Sequence, residues 1–349
     1  MKNSEFNKIA DVEKEKMKKE VNAKLEVITM DELYETAYQG KNPIIEGLLY
    51  PGTYLFAGAP KLGKSFLMAQ LAYHVSIGKS IWGYIVRKGK VLYLTLEDDY
   101  RRLQERLYRM FGTESTEDLF FSVSAGQIGK GLDEQLRFFM KEHKDTKLII
   151  IDTLQKIREF GGESYSYACD YEIIARLKKF TDEYEIGMLL VHHTRKQAAE
   201  DKFDMISGTT GLFGTADGAF LLQKEKCTSN SATLEVSGRD QQDQKLYLVR
   251  NEKTLIWDFE KAETELWKEA PDPLLEEIAK RVNRNFPLWH GTATELSLWL
   301  GVDIQPNILT KKLNITSGKL FEDYGISYTR KRLHEGRKII LSYNECDDG

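Results

Sequence analysis

The sequence predicts an α/β protein with a core of parallel strands, and three stretches of the chain carry that prediction. Residues 58–65 read Gly-Ala-Pro-Lys-Leu-Gly-Lys-Ser and match the phosphate-loop pattern G-x-x-x-x-G-K-[ST] at every fixed position. An apolar segment precedes this loop, and a helical pattern over residues 66–72 follows it. Two further apolar runs, residues 90–96 and 147–151, each lead into acidic residues. Acidic strand ends beside a strand–loop–helix unit are typical of sheets that bind nucleotides.

The composition narrows the class of protein. With 349 residues the chain is long enough for two or three domains. Its net charge of −4 is close to neutral and argues neither for nor against nucleic acid. No apolar run is long enough to span a bilayer, the first 26 residues are too charged for a signal peptide, and the three cysteines have no metal-like spacing. We therefore expect a reduced, cytoplasmic protein that has no membrane partner.

Residues 1–43 are predicted to form a charged, helical N-terminal arm. The first 26 residues alternate Lys and Glu, which is typical of a solvated helix or a disordered segment. An arm that docks on a neighbouring subunit is the alternative. Thr29 and Glu32 have the spacing of a capping box that opens a short helix. Residues 44–52 are expected to form a short strand and a Pro-Gly turn.

The phosphate loop is predicted to bind a nucleoside triphosphate together with Mg²⁺. Its glycines let backbone N–H groups turn inward around a polyphosphate at a helix N-terminus, where the helix dipole favours anions. Lys64 would reach the β- and γ-phosphates, and the Ser65 hydroxyl would hold Mg²⁺. The predicted nucleotide-binding residues are Gly58, Ala59, Pro60, Lys61, Leu62, Gly63, Lys64, Ser65 and Phe66.

The acidic strand ends supply the predicted metal-binding and catalytic carboxylates. Residues 147–153 follow the Walker B pattern, in which Asp152 holds Mg²⁺ through water opposite Ser65. The next residue is Thr153 and not Glu, so the carboxylate that orients the attacking water must lie elsewhere. Glu97, at the end of the other strand, is the best candidate, and that position is typical of RecA-like ATPases. Capping of the following helix is the alternative role for an acid after a strand.

A further predicted strand, residues 187–191, ends in His192 and His193. We favour a sensor role, in which one imidazole contacts the γ-phosphate or the attacking water. One core and one solvent-facing histidine is the first alternative. Metal ligation is the second, although nothing nearby completes a zinc set.

Residues 195–214 are predicted to form a polar, glycine-rich loop. Basic side chains in such a loop suit phosphate contacts along single-stranded nucleic acid, and an ordinary surface loop is the alternative. The DNA-binding candidates here are Arg195, Lys196 and Lys202.

Four apolar segments between residues 218 and 258 are expected to extend the sheet as antiparallel strands. Arg239 follows the second of them. It is either an arginine finger that reaches the γ-phosphate of a neighbouring subunit or an ion-pair partner of Asp240 or Asp243.

Residues 271–345 are predicted to form a separate, small, winged-helix-like domain. Pro273, a Thr292–Glu295 capping box and Pro306 mark three helix starts. Two strands, residues 326–331 and 338–343, would then form a basic hairpin that contacts DNA or a protein. The DNA-binding candidates on it are Arg330, Lys331 and Arg332.

The landmarks between residues 44 and 240 resemble one family. They are similar to the RepA-like P-loop ATPases of plasmids, phages and integrated mobile elements, an AAA_25-type, RecA-fold group related to hexameric replicative helicases. The matching stretches are residues 46–49, 59–65, 94–98, 150–153, 191–196, 207–211 and 238–240.

The resemblance implies a RecA-like ATPase domain at residues 44–265 that uses ATP and Mg²⁺. It implies phosphate binding by Lys64 and Ser65, a catalytic Glu97, a Walker B Asp152 and a histidine sensor. It also implies a ring, often a hexamer, with ATP between subunits, single-stranded DNA in the central channel and other replication proteins of the element as partners. The strand in which a relative would carry its finger arginine reads Ala-Phe-Leu-Leu at residues 219–222, so Arg239 is a substitute candidate.

We therefore expect an ATP-hydrolysing, ring-forming motor on single-stranded DNA, either a replicative helicase or a helicase-like protein of a mobile genetic element. The alternative is a DNA-binding recombinase, helicase loader or regulator that uses ATP as an assembly switch without unwinding.

Overall fold

The structure is a computed structural model. It describes residues 27–38, 42–158, 167–194, 202–206, 210–224, 229–239, 241–264, 272–333 and 336–344. The chain divides into two compact units, of which one comprises residues 41–268 and the other combines the residues before and after that range.

In chain order, the helices and strands are α1 (Met30–Glu35), β1 (Gly52–Gly58), α2 (Lys64–Ile77), β2 (Lys90–Thr95), α3 (Tyr100–Phe111), β3 (Leu119–Ser122), α4 (Leu132–Glu142), β4 (Thr146–Asp152), α5 (Leu154–Ile157), α6 (Tyr167–Tyr184), β5 (Gly187–His193), α7 (Thr210–Thr215), β6 (Gly218–Gln223), β7 (Ser231–Gly238), β8 (Gln244–Arg250), β9 (Trp257–Thr264), α8 (Pro273–Arg281), β10 (Leu288–Gly291), α9 (Ala293–Leu300), α10 (Pro306–Tyr324), β11 (Ile326–Leu333) and β12 (Gly336–Tyr343).

A nine-stranded sheet forms the core of the larger unit, in the order β3-β2-β4-β5-β1-β6-β7-β8-β9. The strands from β3 to β6 are parallel, and β7, β8 and β9 continue the sheet in antiparallel fashion. Every residue of β1 is buried, as expected for a parallel strand whose sheet is covered by helices on both faces. The predicted α/β class, with a parallel core and an antiparallel extension, is confirmed.

Successive residues of the central strands pack on opposite faces of the sheet, because side chains alternate along a strand. On one face, Tyr54 and Ile150 join a buried cluster with Leu67 of α2. On the other face, Leu55 and Ile151 join a cluster with residues of α6. Helix α2, which follows the phosphate loop, therefore lies against one face of the sheet. Its first residue, Lys64, lies near the end of β1.

Several details of the larger unit differ from the sequence-based expectation. Residues 44–50 do not form a strand; Ile45 makes isolated bridges to Leu49 and Val86 instead. The expected loop at residues 195–214 contains a 3-10 helix at Lys202–Met205 and the start of α7. Strand β3 and helix α4 were not anticipated. The residues of β3 are only partly buried, so this strand lacks the strong apolar run that marks the others.

The expectation for the antiparallel extension is wrong at both of its ends. Strand β6 pairs parallel with β1, with Tyr54 opposite Gly218. Strands β5 and β6 lie on either side of β1 and run in the same direction. Because only antiparallel strands can be joined by a tight turn, the chain needs the long connection between them, which includes α7. At the other end, β9 starts at Trp257, after a turn that occupies residues 251–256.

The smaller unit contains a three-stranded antiparallel sheet in the order β10-β12-β11. A buried cluster joins this sheet to α8, α9 and α10, with Ile278, Leu296 and Leu313 as central members. The predicted helix starts are present: Pro273 follows an Asp272 cap, the Thr292 capping box forms, and Pro306 opens α10. Strand β10 was not anticipated.

Helix α1 belongs to this smaller unit, although almost the whole chain separates it from α10 in sequence. The Thr29 side chain accepts a hydrogen bond from the Glu32 backbone and the Glu32 carboxylate accepts one in return, so the predicted capping box is formed. The first 26 residues of the expected arm lie outside the described residues.

Candidate nucleotide-binding site

The phosphate loop connects the buried strand β1 to helix α2, as its sequence predicts. Gly63 caps α2 with a φ of 101°, a left-handed conformation that glycine adopts without cost. A Cβ built on Gly63 would lie 3.2 Å from Arg250 Nη1 and 3.3 Å from the Trp257 ring. The second glycine of the motif therefore serves both the turn and the close approach of two side chains from β8 and β9.

Lys64 lies across the loop that precedes it. Its Nζ donates hydrogen bonds to the carbonyl oxygens of Gly58, at 2.7 Å, and Ala59, at 3.0 Å. Only 6% of the residue is exposed. Burial lowers the pKa of this ammonium, and the negative charges of Asp152 and Glu97 oppose that shift. The site thus holds a buried cation at the loop, flanked by two carboxylates on neighbouring strands.

Asp152 lies at the end of β4, beside the loop. The Tyr93 hydroxyl donates a hydrogen bond to Asp152 Oδ2 at 3.1 Å and lies 3.3 Å from the backbone oxygen of Ser65. Burial raises the pKa of Asp152, while hydrogen bonds from the side chains of Ser65 and Tyr93 act in the opposite direction. Tyr93, which the sequence analysis did not single out, therefore links the Walker B strand to the loop.

The oxygen donors of Ser65 and Asp152 fit a magnesium ion. The two side chains share a hydrogen bond, so their oxygens meet at one point beside the loop. Among the described residues, no group of three or more His, Cys, Asp and Glu side chains is arranged to hold a metal. This sparse set suits Mg²⁺, which proteins bind through one or two ligands while phosphates and waters complete the shell.

The three acids after β2 have three different surroundings. Asp98 pairs with Arg106 at 2.6 Å, and Asp99 caps α3 by accepting from the Arg102 backbone. Glu97 is exposed and accepts a hydrogen bond from the Thr153 hydroxyl at 3.4 Å. Of the three acids, only Glu97 influences the pKa values of Lys64, Asp152 and His193. Its carboxylate therefore lies beside the end of the Walker B strand, while its neighbours stabilise local structure.

The two histidines at the end of β5 lie in different environments. His193 Nδ1 is 3.4 Å from Lys64 Nζ. Burial and the charge of Lys64 lower the pKa of His193, which favours a neutral imidazole whose Nδ1 accepts from the ammonium. His192 is buried, with 5% of its surface exposed. The structure thus brings His193 to the phosphate loop and places His192 in the protein interior.

The other predicted site residues lie away from Lys64 or outside the described residues. Arg239 follows β7 at the end of the sheet opposite the loop, because Gly238 pairs with Gly218 whereas Gly58 pairs with Leu222. Its Nη2 donates to the Gly214 carbonyl at 3.3 Å. Arg195 and Lys196 are not among the described residues, and only the backbone of Lys202 is described. Arg330, Lys331 and Arg332 belong to β11 of the smaller unit.

A cluster of cations and aromatic rings flanks the loop and was missed by the sequence analysis. The guanidinium groups of Arg250 and Arg106 lie 4.2 Å and 5.0 Å from the centroid of the Phe66 ring. Burial lowers the pKa of Arg250, and two other arginines, Arg109 and Arg106, add to this shift. Three arginines therefore concentrate positive charge where a polyanion would be bound.

Trp257 connects this cluster to α2. The side-chain amide of Gln70 makes two hydrogen bonds with the Trp257 backbone, at 2.8 Å and 2.9 Å. The indole nitrogen donates to the Gly63 carbonyl at 3.4 Å. The antiparallel extension of the sheet thereby supports the loop directly. An isolated Trp in an apolar segment carries no motif, so only the fold reveals this role.

A cavity of about 480 Å³ opens beside the loop. Ala59 and Leu62 of the loop form one wall, and Lys224, Tyr247 and other residues of the antiparallel strands line the rest. Its volume and mixed lining fall in the range of small-molecule sites. The cavity offers room for a nucleoside next to the phosphate loop.

Tyr93→Phe is expected to raise the Mg²⁺ concentration for half-maximal ATP turnover about 10-fold, because partners that orient a metal ligand typically contribute 10-fold to 100-fold in metal affinity. The substitution removes the hydroxyl that donates to Asp152 and keeps the buried ring. Turnover is measured over a Mg²⁺ titration at saturating ATP. Tyr108→Phe, at an exposed position of α3, is the control. An unchanged Mg²⁺ requirement for Tyr93→Phe would contradict the role given to this hydroxyl.

One family profile matches the sequence. The profile of a family described as AAA domain matches residues 20–199, slightly more than half of the chain. No curated protein matches the sequence at a significant level. None of the described helices is both long enough and apolar enough to cross a bilayer.

Three solved structures resemble this chain to different degrees. The ATPase domain of G40P matches with a TM-score of 0.51 and 15% identity, over 60% of this chain and 85% of that domain. A DnaB-like replicative helicase, studied with its interactions with primase, matches with a TM-score of 0.48 and 16% identity, over 60% of this chain and 57% of the helicase. A KaiC-like protein from the archaeon Pyrococcus horikoshii matches with a TM-score of 0.44 and 16% identity, over 64% and 99% of the two chains. The first match, at a TM-score above 0.5 and 15% identity, shows the fold alone, and it confirms the predicted RecA-like fold.

Proposed function

The chain belongs to the AAA domain family, and we propose that this helicase-like P-loop ATPase is a ring-forming motor that acts on single-stranded DNA in the replication of a mobile genetic element. Its ligands are ATP and Mg²⁺. Its partners are further copies of the same chain, with a hexamer as the expected assembly, single-stranded DNA and other replication proteins of the element.

The position of Glu97 is the observation that carries the proposal. Its carboxylate follows β2, which is the direct neighbour of the Walker B strand β4 in the sheet. It accepts a hydrogen bond from Thr153, the residue that follows Asp152. A carboxylate in this position faces the loop from the side, where it can orient a water molecule and accept its proton. This position of the carboxylate is typical of RecA-like ATPases, and the resemblance to that group is what implies a ring motor.

Each described residue of the site has a distinct task in hydrolysis. The backbone of the loop and the Lys64 ammonium bind the β- and γ-phosphates, while Ser65 and Asp152 hold the metal. Mg²⁺ held by these two residues would neutralise charge that develops on the phosphate oxygens. His193 Nδ1 lies 3.4 Å from Lys64 Nζ, so its imidazole is placed to respond when the γ-phosphate leaves the ammonium.

The motif resemblance and the location of Arg239 support the proposed ring. This arginine lies at the end of the sheet opposite its own phosphate loop. Its distance from its own loop supports a role at the site of a neighbouring subunit rather than at its own. The basic segment that includes Arg195, Lys196 and Lys202 is the proposed contact with single-stranded DNA.

ATP turnover measured with and without single-stranded DNA, combined with light scattering, tests the proposal. We expect DNA to stimulate turnover several-fold and ATP with Mg²⁺ to shift the mass to that of a ring. A forked DNA substrate then tests strand separation. An ATP turnover rate that does not change when single-stranded DNA is added would contradict the proposal of a DNA motor. Stimulated turnover and assembly without strand separation would favour the loader or recombinase alternative.

A further inference from the structure

Helix α1 packs along α10 and against the β11–β12 hairpin in the smaller unit, and ionic contacts hold it there. Glu35 Oε2 accepts hydrogen bonds from Arg330 Nη1 at 3.1 Å and from Arg337 Nη1 at 3.3 Å. The Glu35 carbonyl oxygen lies 3.4 Å from the same Arg330 nitrogen. One carboxylate thus pairs with an arginine from each strand of the hairpin.

The same segment continues this pattern along α10. Asp31 pairs with the Lys311 ammonium. The Asn314 side-chain amide donates to the Tyr34 carbonyl at 2.8 Å, and it is oriented by the Tyr328 hydroxyl, which donates to Asn314 Oδ1 at 2.8 Å. Ser317 Oγ donates to the Tyr38 carbonyl at 3.3 Å. The charged and amide donors of the covered surface are Lys311, Asn314, Arg330 and Arg337, and we call this set the basic face.

The docked helix makes little use of apolar burial. No residue of α1 is buried, and Met30 and Leu33 remain 66% and 44% exposed. The Asp31–Lys311 and Glu35–Arg337 pairs are more open to solvent than the Glu35–Arg330 pair, and exposed ion pairs contribute little net stability and weaken as salt rises. The segment therefore occupies the basic face through contacts that another anion can replace.

We propose that the basic face binds the phosphates of duplex DNA and that residues 29–38 cover it as an internal competitor, with the carboxylates of Asp31 and Glu35 in the positions of two phosphates. Two arginines and a lysine around an amide donor form a set that matches phosphate oxygens, because guanidinium groups bind phosphate with two parallel hydrogen bonds. The donors come from a helix and an adjacent hairpin, an arrangement that suits contact with a groove and its flanking backbone.

Duplex DNA fits this face better than a single strand. Binding of single strands depends on aromatic side chains on which bases stack. The four donors include no aromatic residue, and Tyr328 beside them is 7% exposed. The inference depends on the proposed function only for the choice of DNA as the polyanion, and the test below uses neither ATP nor turnover.

The test is the binding of a labelled duplex DNA by the full chain without ATP, at about 0.1 M salt. The double variant Asp31→Asn/Glu35→Gln removes both competing carboxylates. If the segment covers the face in about 90% of molecules, unmasking should tighten binding about 10-fold, since apparent affinity scales with the open fraction. The charge-matched control is Asp303→Asn/Asp323→Asn, which removes two carboxylates of the same unit that form no ion pair among the described residues, and it should bind like the wild type.

One further variant and one independent readout test the origin of the gain. Adding Arg330→Gln and Arg337→Gln to the unmasked variant should reverse the gain. Hydrogen exchange at residues 31–36 should speed up in the wild type when duplex DNA is added, because binding and unmasking are reciprocally linked. Hydrogen exchange would distinguish displacement of residues 29–38 by DNA from a gain in affinity that comes only from removing two negative charges.

Equal affinity of the wild type and the unmasked variant for duplex DNA would overturn the proposal that residues 29–38 cover the basic face. A gain that survives the loss of both arginines would overturn the basic face as its origin. Stronger binding of polyglutamate or duplex RNA than of duplex DNA would overturn the assignment of the ligand. If single-stranded DNA fails to stimulate ATP turnover while these results hold, the motor is refuted and the basic face is not.

Discussion

Replacing Lys64 with alanine is expected to reduce ATP turnover about 100-fold to 1000-fold, the typical loss when one preorganised group that stabilises developing charge is removed. The ammonium is held over the loop by the carbonyls of Gly58 and Ala59, so it is already in place for the phosphates. Stability should change little, because burial disfavours the charged form of this side chain and its pKa is lowered. Turnover and thermal midpoint are measured on the same preparation.

Lys88→Ala is the matched control for this prediction. Lys88 is an exposed lysine that pairs with Asp118 at 3.2 Å, in the segment that leads to β2. Exposed ion pairs of this kind are worth up to about 1 kcal/mol, so turnover should stay at the wild-type level. If the Lys64→Ala variant hydrolyses ATP at the wild-type rate, the phosphate loop is not the site of the reaction.

Glu97→Gln is expected to lower ATP turnover about 100-fold to 10 000-fold and to leave ATP binding intact, because loss of a general base acts on the chemical step. Glutamine keeps the shape of the side chain and can still accept from the Thr153 hydroxyl, but it cannot take a proton from water. The rate is measured at saturating ATP, and ATP affinity is measured separately by calorimetry. The separation of the two quantities distinguishes a catalytic carboxylate from one that stabilises the fold.

Asp99→Asn provides the control for Glu97→Gln, because it makes the same kind of change two residues away. Asp99 accepts from the Arg102 backbone and caps α3, and asparagine caps helices about as well as aspartate. Its turnover should match the wild type. Equal turnover in Glu97→Gln and the wild type would mean that another group orients the water.

The sequence predicts where the central residues of the candidate site lie, because the signals that mark them are local. The loop, Asp152 and Glu97 each follow a buried apolar run, and such runs identify central parallel strands by themselves. The helix starts of the smaller unit are equally local, since a capping box at Thr292 or a proline at position 306 acts within one turn. The strand β3 and the orientation of β6 depend on distant partners, and both were missed or wrong.

The support around the site could not be predicted for the same reason. Tyr93 and Trp257 lie in apolar segments where an aromatic residue is ordinarily part of the core. Their functional contacts are made to Asp152, Gly63 and Gln70, which are far away in sequence. Similarly, the charges of Glu35 and Arg330 are evident in the sequence, but nothing in either segment shows that they pair across 295 residues.

The union of the two ends of the chain in one unit has a consequence for synthesis on the ribosome. Asp31 and Lys311 are separated by 280 residues, and the whole ATPase unit lies between them. At about 5 to 20 residues per second, roughly 15 to 60 s pass between translation of α1 and translation of its partner helix. The ATPase unit is therefore complete before the smaller unit can begin to assemble, and a nascent chain that stops before residue 269 carries an acidic helix with no basic face to cover.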